Sequence, residues 1–263
     1  MQVTTEALLK TNAPAALAHH AFGGLSQQYS FFDTRALVDA LETDNWTVTE
    51  ARQAGGRTSL PFYRKHQLVI ADRDVAAQKG IGEYPRVLLS NSHDGEAACK
   101  LQAGLWRMIC SNGMVISDGF IQSVSIRHTR RTIEEVVQAA QAFRANAGRI
   151  GEHVIKFKEV KLTPVAAVEF AQQALALRFG ERYSLVVKPQ DILSLQRTED
   201  AGNDLWSVFN VAQEWLLKGG FPMTKVGPLF QSQTRHARAV KSIDDSGRLN
   251  TGLWDLAEQF SLN

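Results

Sequence analysis

At Thr132 the spacing of apolar residues changes, and with it the kind of structure the chain can form. Upstream, short apolar or β-branched runs are separated by three turn signals, Asp94-Gly95, Asn112-Gly113 and Asp118-Gly119. Asn and Asp tolerate positive φ and Gly supplies it without steric cost, as a two-residue type I′ hairpin turn requires. The intervening runs, Arg86 to Asn91, Cys99 to Cys110, Met114 to Ser117 and Phe120 to Arg127, therefore predict an antiparallel meander, although Leu105 to Cys110 also fits a helical turn. Downstream, Thr132-Ile133-Glu134-Glu135 is a capping box, in which the Thr hydroxyl and the Glu carboxylate each satisfy a free amide. Ile133, Val136, Ala140, Phe143, Ala147, Ile150, Val154 and Phe157 then recur at helical steps. They predict a helix of roughly 20 to 27 residues with one apolar stripe.

The same reasoning extends to both ends. Residues 1–30, Ala- and Gln-rich, read as a partly ordered arm or lead-in helix. Asp33 or Thr34 caps a helix reaching about Thr43, Trp46 to Thr49 and Leu68 to Ile70 have strand composition, and residues 73–84 read as a loop. Thr163-Pro164 starts a second long helix that stops at Gly180, and Asn203 or Asp204 starts a third that runs to Lys218 and ends on Gly219-Gly220. Residues 219–248 show no period and read as a basic loop, followed by a short last helix carrying Leu253, Trp254 and Phe260. Strands first and helices later give an α+β fold, an antiparallel β-meander packed against a long helix with a helical C-terminal part. The expected organisation is an arm, 1–30, and one domain, 31–263, whose sheet lies in 31–131 and whose helices lie in 132–263.

Asn91-Ser92-His93-Asp94-Gly95 and Arg107-Met108-Ile109-Cys110-Ser111-Asn112-Gly113-Met114-Val115 resemble the shared blocks of phage, plasmid and prophage proteins grouped as domain of unknown function 932. Asn203-Asp204-Leu205-Trp206, Gln213-Glu214, Lys218-Gly219-Gly220, Arg235 with Arg238 and Val240, Leu249-Asn250, Leu253-Trp254 and Ala257 to Phe260 follow in the family's order. The resemblance implies a mobile-element origin and no particular reaction.

With 263 residues and 44% apolar content the chain can bury a sizeable core. No apolar run approaches the roughly 20 residues a bilayer requires, and Met1 to Ala18 lacks the charged and apolar regions of a signal peptide, so a cytoplasmic protein is expected. Cys99 and Cys110 are expected as reduced, buried thiols. Phosphate-loop, dinucleotide, zinc-hydrolase and nucleophile-elbow motifs are absent, so no cofactor, metal or catalytic residue is assigned. His93-Asp94 is read as a turn, because adjacent residues in a tight turn point apart.

The net charge is only +2, but it is unevenly placed. Lys218 to Arg248 carries six bases against Asp244 and Asp245, whereas Gln190 to Leu217 carries Arg197 against five acids. Such blocks suit a polyanion partner or head-to-tail association. The candidate phosphate-binding residues are Arg107, Arg127, His128, Arg130 and Arg131, which flank the capped helix start, and Lys218, Lys225, Arg235, Arg238, Lys241 and Arg248. Phe221 and Phe230 read either as bases' stacking partners or as residues docked on the core; Trp106, Trp206, Trp215 and Trp254 read as core. The leading expectation is a nucleic-acid-binding protein of a phage or mobile element, namely a homo-oligomeric single-stranded-DNA-binding or annealing recombination factor. At the level of coarse architecture it resembles phage single-strand annealing proteins. Two other classes stay open: a protein-binding factor that interferes with a host defence system, and a metal-dependent nuclease built from Asp72, Asp74, Glu83, Asp94 and Asp118.

Overall fold

The structure, a computed structural model, describes all residues except 1–3, 27–28, 56–60, 78–82, 108–113, 116–123, 127–132, 181–184, 227–231 and 263. The chain divides into two compact units, residues 1–111 with 115–148, and residues 149–263 with 112–114. As the change of period at Thr132 predicts, the fold is α+β.

In the first unit, β1 (Trp46–Gln53), β2 (His66–Asp72), β3 (Glu83–Asn91) and β4 (Cys99–Arg107) pair antiparallel in that order. The path ends at β5 (Met114–Val115), and β6 (Val124–Ile126) also pairs with β4 through Cys99 and Ile126. β2 is buried from His66 through Ala71. That continuous burial is what a central strand covered on both faces requires. Val69 and Leu88 sit opposite each other and pack together; burying each is worth about 1.5–3 kcal/mol.

Helix α2 (Thr34–Thr43) begins where Asp33 accepts from the Ala36 amide, and buries Leu37, Val38 and Leu41. It stops at Asp44-Asn45, Asn45 taking the left-handed conformation, φ 63°, which Asn tolerates better than most side chains. α1 (Thr5–Asn12) lies against β1, with Leu9, Ala13, Ala15 and Ala16 fully buried, so this part of the expected arm is docked. α4 (Ile133–Glu159) is the expected long helix. Its first half buries Val136, Ala140 and Phe143, and Arg144 caps the contact by stacking 4.5 Å over Trp46 and reaching Asp72 at 3.0 Å.

The second unit contains α5 (Pro164–Phe179), β7 (Leu185–Val186), α6 (Leu205–Lys218), β8 (Pro222–Val226), β9 (Ser232–His236) and α7 (Ile243–Phe260). Thr163 and Asp204 cap α5 and α6 through their own side chains, as their positions predict. The core is aromatic: Trp254 contacts Phe157 at 5.0 Å and Phe209 at 6.3 Å, and Phe209 stacks on Trp206.

Four expectations need correction. Residues 219–248 are not one loop: they hold β8, β9 and the start of α7, an 18-residue helix instead of a short one. Residues 73–84 include helix α3 (Arg73–Ala77) and the first residues of β3. Asp94-Gly95 does lie in the β3–β4 connection, but the connection spans residues 92–98 and only Gly95 has positive φ. Side-chain bonds shape it instead: Ser92 Oγ donates to the Ala97 carbonyl and accepts from the Ala97 amide, and Asp94 accepts from the Glu96 amide. Finally, two of the carboxylates of the nuclease alternative, Asp72 and Asp94, do not converge, while Asp118 lies outside the described residues. The antiparallel register of β2 with β1 and β3 puts Asp72 and Asp94 at opposite ends of the sheet. The Asn112-Gly113 and Asp118-Gly119 turns and Thr132 lie outside the described residues.

Candidate nucleic-acid interface

The basic segment is held at its root before it becomes a hairpin. α6 ends at Gly219, φ 74°, where a Cβ would lie 2.5 Å from the Ala237 carbonyl oxygen. Only glycine fits both the left-handed backbone and that close approach. Gly220 donates to the Ala237 carbonyl, Ala237 to that of Phe221, and Val240 to that of Leu217, at 2.8–2.9 Å. The Arg178 guanidinium, on α5, donates to the carbonyls of Leu216 and Arg238 while lying over Phe179 and Phe221. Phe221 is 1% exposed and meets Phe179 and Trp215 edge to face. It is therefore a docked anchor and not a stacking platform for bases.

From this root β8 and β9 run antiparallel, with Met223 opposite Arg235, Thr224 opposite Thr234 and Lys225 opposite Gln233. Side chains directly opposite share a face and alternate along a strand. Lys225, Gln233 and Arg235 thus share one face. Thr224 and Thr234 share the other, their hydroxyls 3.0 Å apart. All five residues of β9 are exposed, as are Lys225, Arg238 and Lys241. None of these four cations has a carboxylate partner among the described residues. Lys225 and Arg235 are diagonal neighbours, so an anion over that face relieves their repulsion.

Two other predicted contacts are spent internally. Lys218 reaches Glu214 at 2.6 Å, and Arg248 reaches Asp245 one helical turn away at 2.7 Å. The Glu214 carboxylate is buried and also accepts two bonds of 2.8 Å from Arg197, one to each oxygen. The hydrogen bonds from Arg197, assisted by Lys218 and working against burial, hold its pKa down to about 2. Next to it, Gln213 donates to Asn250 at 3.0 Å, so two blocks of the sequence resemblance meet in a hydrogen bond. The acidic stretch before Leu217 accordingly serves structure in part, with Asp204 capping α6 and Glu214 closing the triad.

In the first unit, Arg107 is the last residue of β4, in register with Glu83, while Arg127, His128, Arg130 and Arg131 lie outside the described residues. His93 turns inward. Its ring lies 5.1 Å from that of His66 and 4.8 Å from Phe31, and Asp94 spends an oxygen on the turn, as the turn reading of His93-Asp94 expects. Thr34 Oγ1 is the hub of this buried knot, 2.9 Å from His66 Nε2 and accepting from Asn91 Nδ2 at 2.9 Å. Asn91 also donates to the Phe32 carbonyl and accepts from the Ser92 amide. His66 Nδ1 meets the Arg64 carbonyl at 3.0 Å, and burial pushes its pKa down to about 4, so the ring is neutral.

Sequence reasoning missed two participants, Arg178 and His236, and the internal pairing of Lys218. Arg178 carries no local signal, since its partners lie 38 and 60 residues away. The pairing of Lys218 was readable from its i, i+4 spacing to Glu214. His236 joins the exposed strand and went unremarked because strand β9 itself was not expected.

An α+β protein presenting a cationic hairpin, and with no helix among the described residues long and apolar enough to cross a membrane, is the class so defined. The chain belongs to the family described as Domain of unknown function (DUF932), whose model matches residues 21–254. It is 30% identical over 261 residues to UPF0380 protein YafZ of Escherichia coli strain K12, covering 97% of this chain and 90% of that protein. UPF0380 protein YfjQ of the same strain is 30% identical over 256 residues, with the same two coverages. No solved structure matches.

Proposed function

We propose that this protein binds nucleic acid, single-stranded DNA in particular, as part of the recombination machinery of a phage or other mobile element. The observation that carries the reading is the division among the six described cations of the basic segment. Lys218 and Arg248 are paired internally, whereas Lys225, Arg235, Arg238 and Lys241 stand exposed with no described carboxylate. Exposed cations on a fixed backbone neutralise phosphates and release condensed counterions, which binds a strand with little regard to sequence. Gln233, Thr224 and Thr234 add donors around the same strands.

The test is binding of a labelled single-stranded oligonucleotide across a salt series. Affinity should fall steeply with salt. Replacing Lys225, Arg235, Arg238 and Lys241 together by Ala should flatten the logarithmic slope by about 3, at roughly 0.7 per lost phosphate contact. Lys218→Ala and Arg248→Ala should leave the slope nearly unchanged. Absence of wild-type binding at about 50 mM salt, where phosphate contacts are strongest, overturns the reading.

A further inference from the structure

We propose that β9 is a self-association strand, pairing antiparallel with β9 of a second copy about a two-fold axis at Thr234 and joining two three-stranded sheets into one of six. The pairing stands apart from the nucleic-acid reading; only its consequence for phosphate binding rests on that reading.

The sheet order β7-β8-β9 leaves β9 at an edge, and among the described residues no strand pairs with its outer side. Its five residues are all exposed, so no described part of the chain covers it. The direction of its amides follows from the register. Ala237 donates to Phe221, continuing the β8–β9 ladder, so Ala237, Arg235 and Gln233 point their backbone groups toward β8. Alternation then aims those of Ser232, Thr234 and His236 outward. An edge of this kind is a template for another strand unless proline or charge blocks it. Neither is present at the three outward positions, which are Ser, Thr and His.

A second copy centred on Thr234 meets every one of those groups. Thr234 faces Thr234, and Ser232 faces His236 in both directions, which closes about six backbone hydrogen bonds. Charge selects the same register. Arg235 falls opposite Gln233 of the other copy, whereas an axis at Arg235 would set two guanidiniums face to face, a destabilising pair. A second copy therefore fits the edge in both hydrogen bonding and charge.

The axis stands perpendicular to the sheet, so both copies present Lys225 and Arg235 on one side. The two Lys225 positions then lie about 16 Å apart, three strand spacings across and two residues along, and the cationic face doubles in length. In the free protein this requires no nucleic acid.

Sedimentation velocity without DNA, from about 1 to about 100 µM, should show a concentration-dependent dimer. Thr234→Pro removes one outward amide and spares the β8 ladder, and should weaken the dimer by at least about tenfold. Thr234→Cys should form a disulfide between the two introduced thiols on mild oxidation, since an opposed pair spaced about 5.5 Å is within bonding reach. Lys225→Ala with Arg235→Ala should dimerise normally while losing affinity for DNA, which separates the two readings. A monomer at every concentration, a Thr234→Pro dimer of wild-type strength, or no cross-link between the introduced thiols overturns the proposal.

Discussion

The knot under the Asn91 to Asp94 turn and the carboxylate of Glu214 are both buried polar groups, yet they are kept in opposite charge states. Around Thr34, His66 and Asn91 every described bond is to a neutral group, and the imidazole of His66 stays uncharged because burial penalises its proton. Glu214 keeps its charge because Arg197 donates to both of its oxygens and Lys218 adds a third bond. The difference teaches where each unit is vulnerable. A neutral network fails when a donor or acceptor is orphaned, and an ionic one fails when a charge is left behind.

The largest expected effect follows from breaking the ionic site. Glu214→Gln leaves the Arg197 guanidinium beside a neutral amide and should cost about 3 kcal/mol in equilibrium unfolding, as removal of one member of a buried pair does. A loss below about 1 kcal/mol would put Glu214 in the class of surface ion pairs and end the contrast. Next, Asn91→Ala removes the bonds to Thr34, Phe32 and Ser92 and should destabilise the first unit by about 2 kcal/mol. Hydrogen exchange should rise in β2 and β3 and stay unchanged in α6 and α7.

Acid sharpens the comparison further. His66, lowered from 6.5 to about 4, contributes stability that is complete above its unfolded pKa and fades as pH falls from about 6.5 toward 4. Glu214, lowered from 4.5 to about 2, contributes stability that is complete above about 4.5 and fades toward 2. Denaturation monitored by amide exchange should therefore weaken β2 first and α6 second; simultaneous loss would break the distinction. The smallest effect should come from Lys218→Met. Its exposed end carries little net energy, so under about 1 kcal/mol is expected from a thermal or urea midpoint.

How much of this was legible depends on whether the signal is local. α2, α5 and α6 were readable because Asp33, Thr163, Asp204, Gly180 and Gly219 act within one turn of the helix ends they set. β8 and β9 were not, because Thr224, Lys225 and Ser232 to His236 are polar on both faces and give no alternation. The candidate site was half visible for the same reason: composition located the cations and helical spacing can pair Lys218 with Glu214, but only the fold sets Lys225 and Arg235 on one face of a hairpin. The Arg178 clamp had no sequence signature, and the Asn91 to Gly95 block marks only one side of the His66 knot, since each joins elements tens of residues apart.

The clamp at the root of the hairpin also has a mechanical meaning. Arg178 ties the last turn of α6 to the strand returning from β9, and the Gly220–Ala237 and Val240–Leu217 bonds fasten the same short span. A beam fixed at several points along its base cannot pivot there. Force applied at Lys225 or Arg235 is delivered as tension and shear into α5 and α6, so a load on the hairpin reaches the helical core instead of bending a hinge.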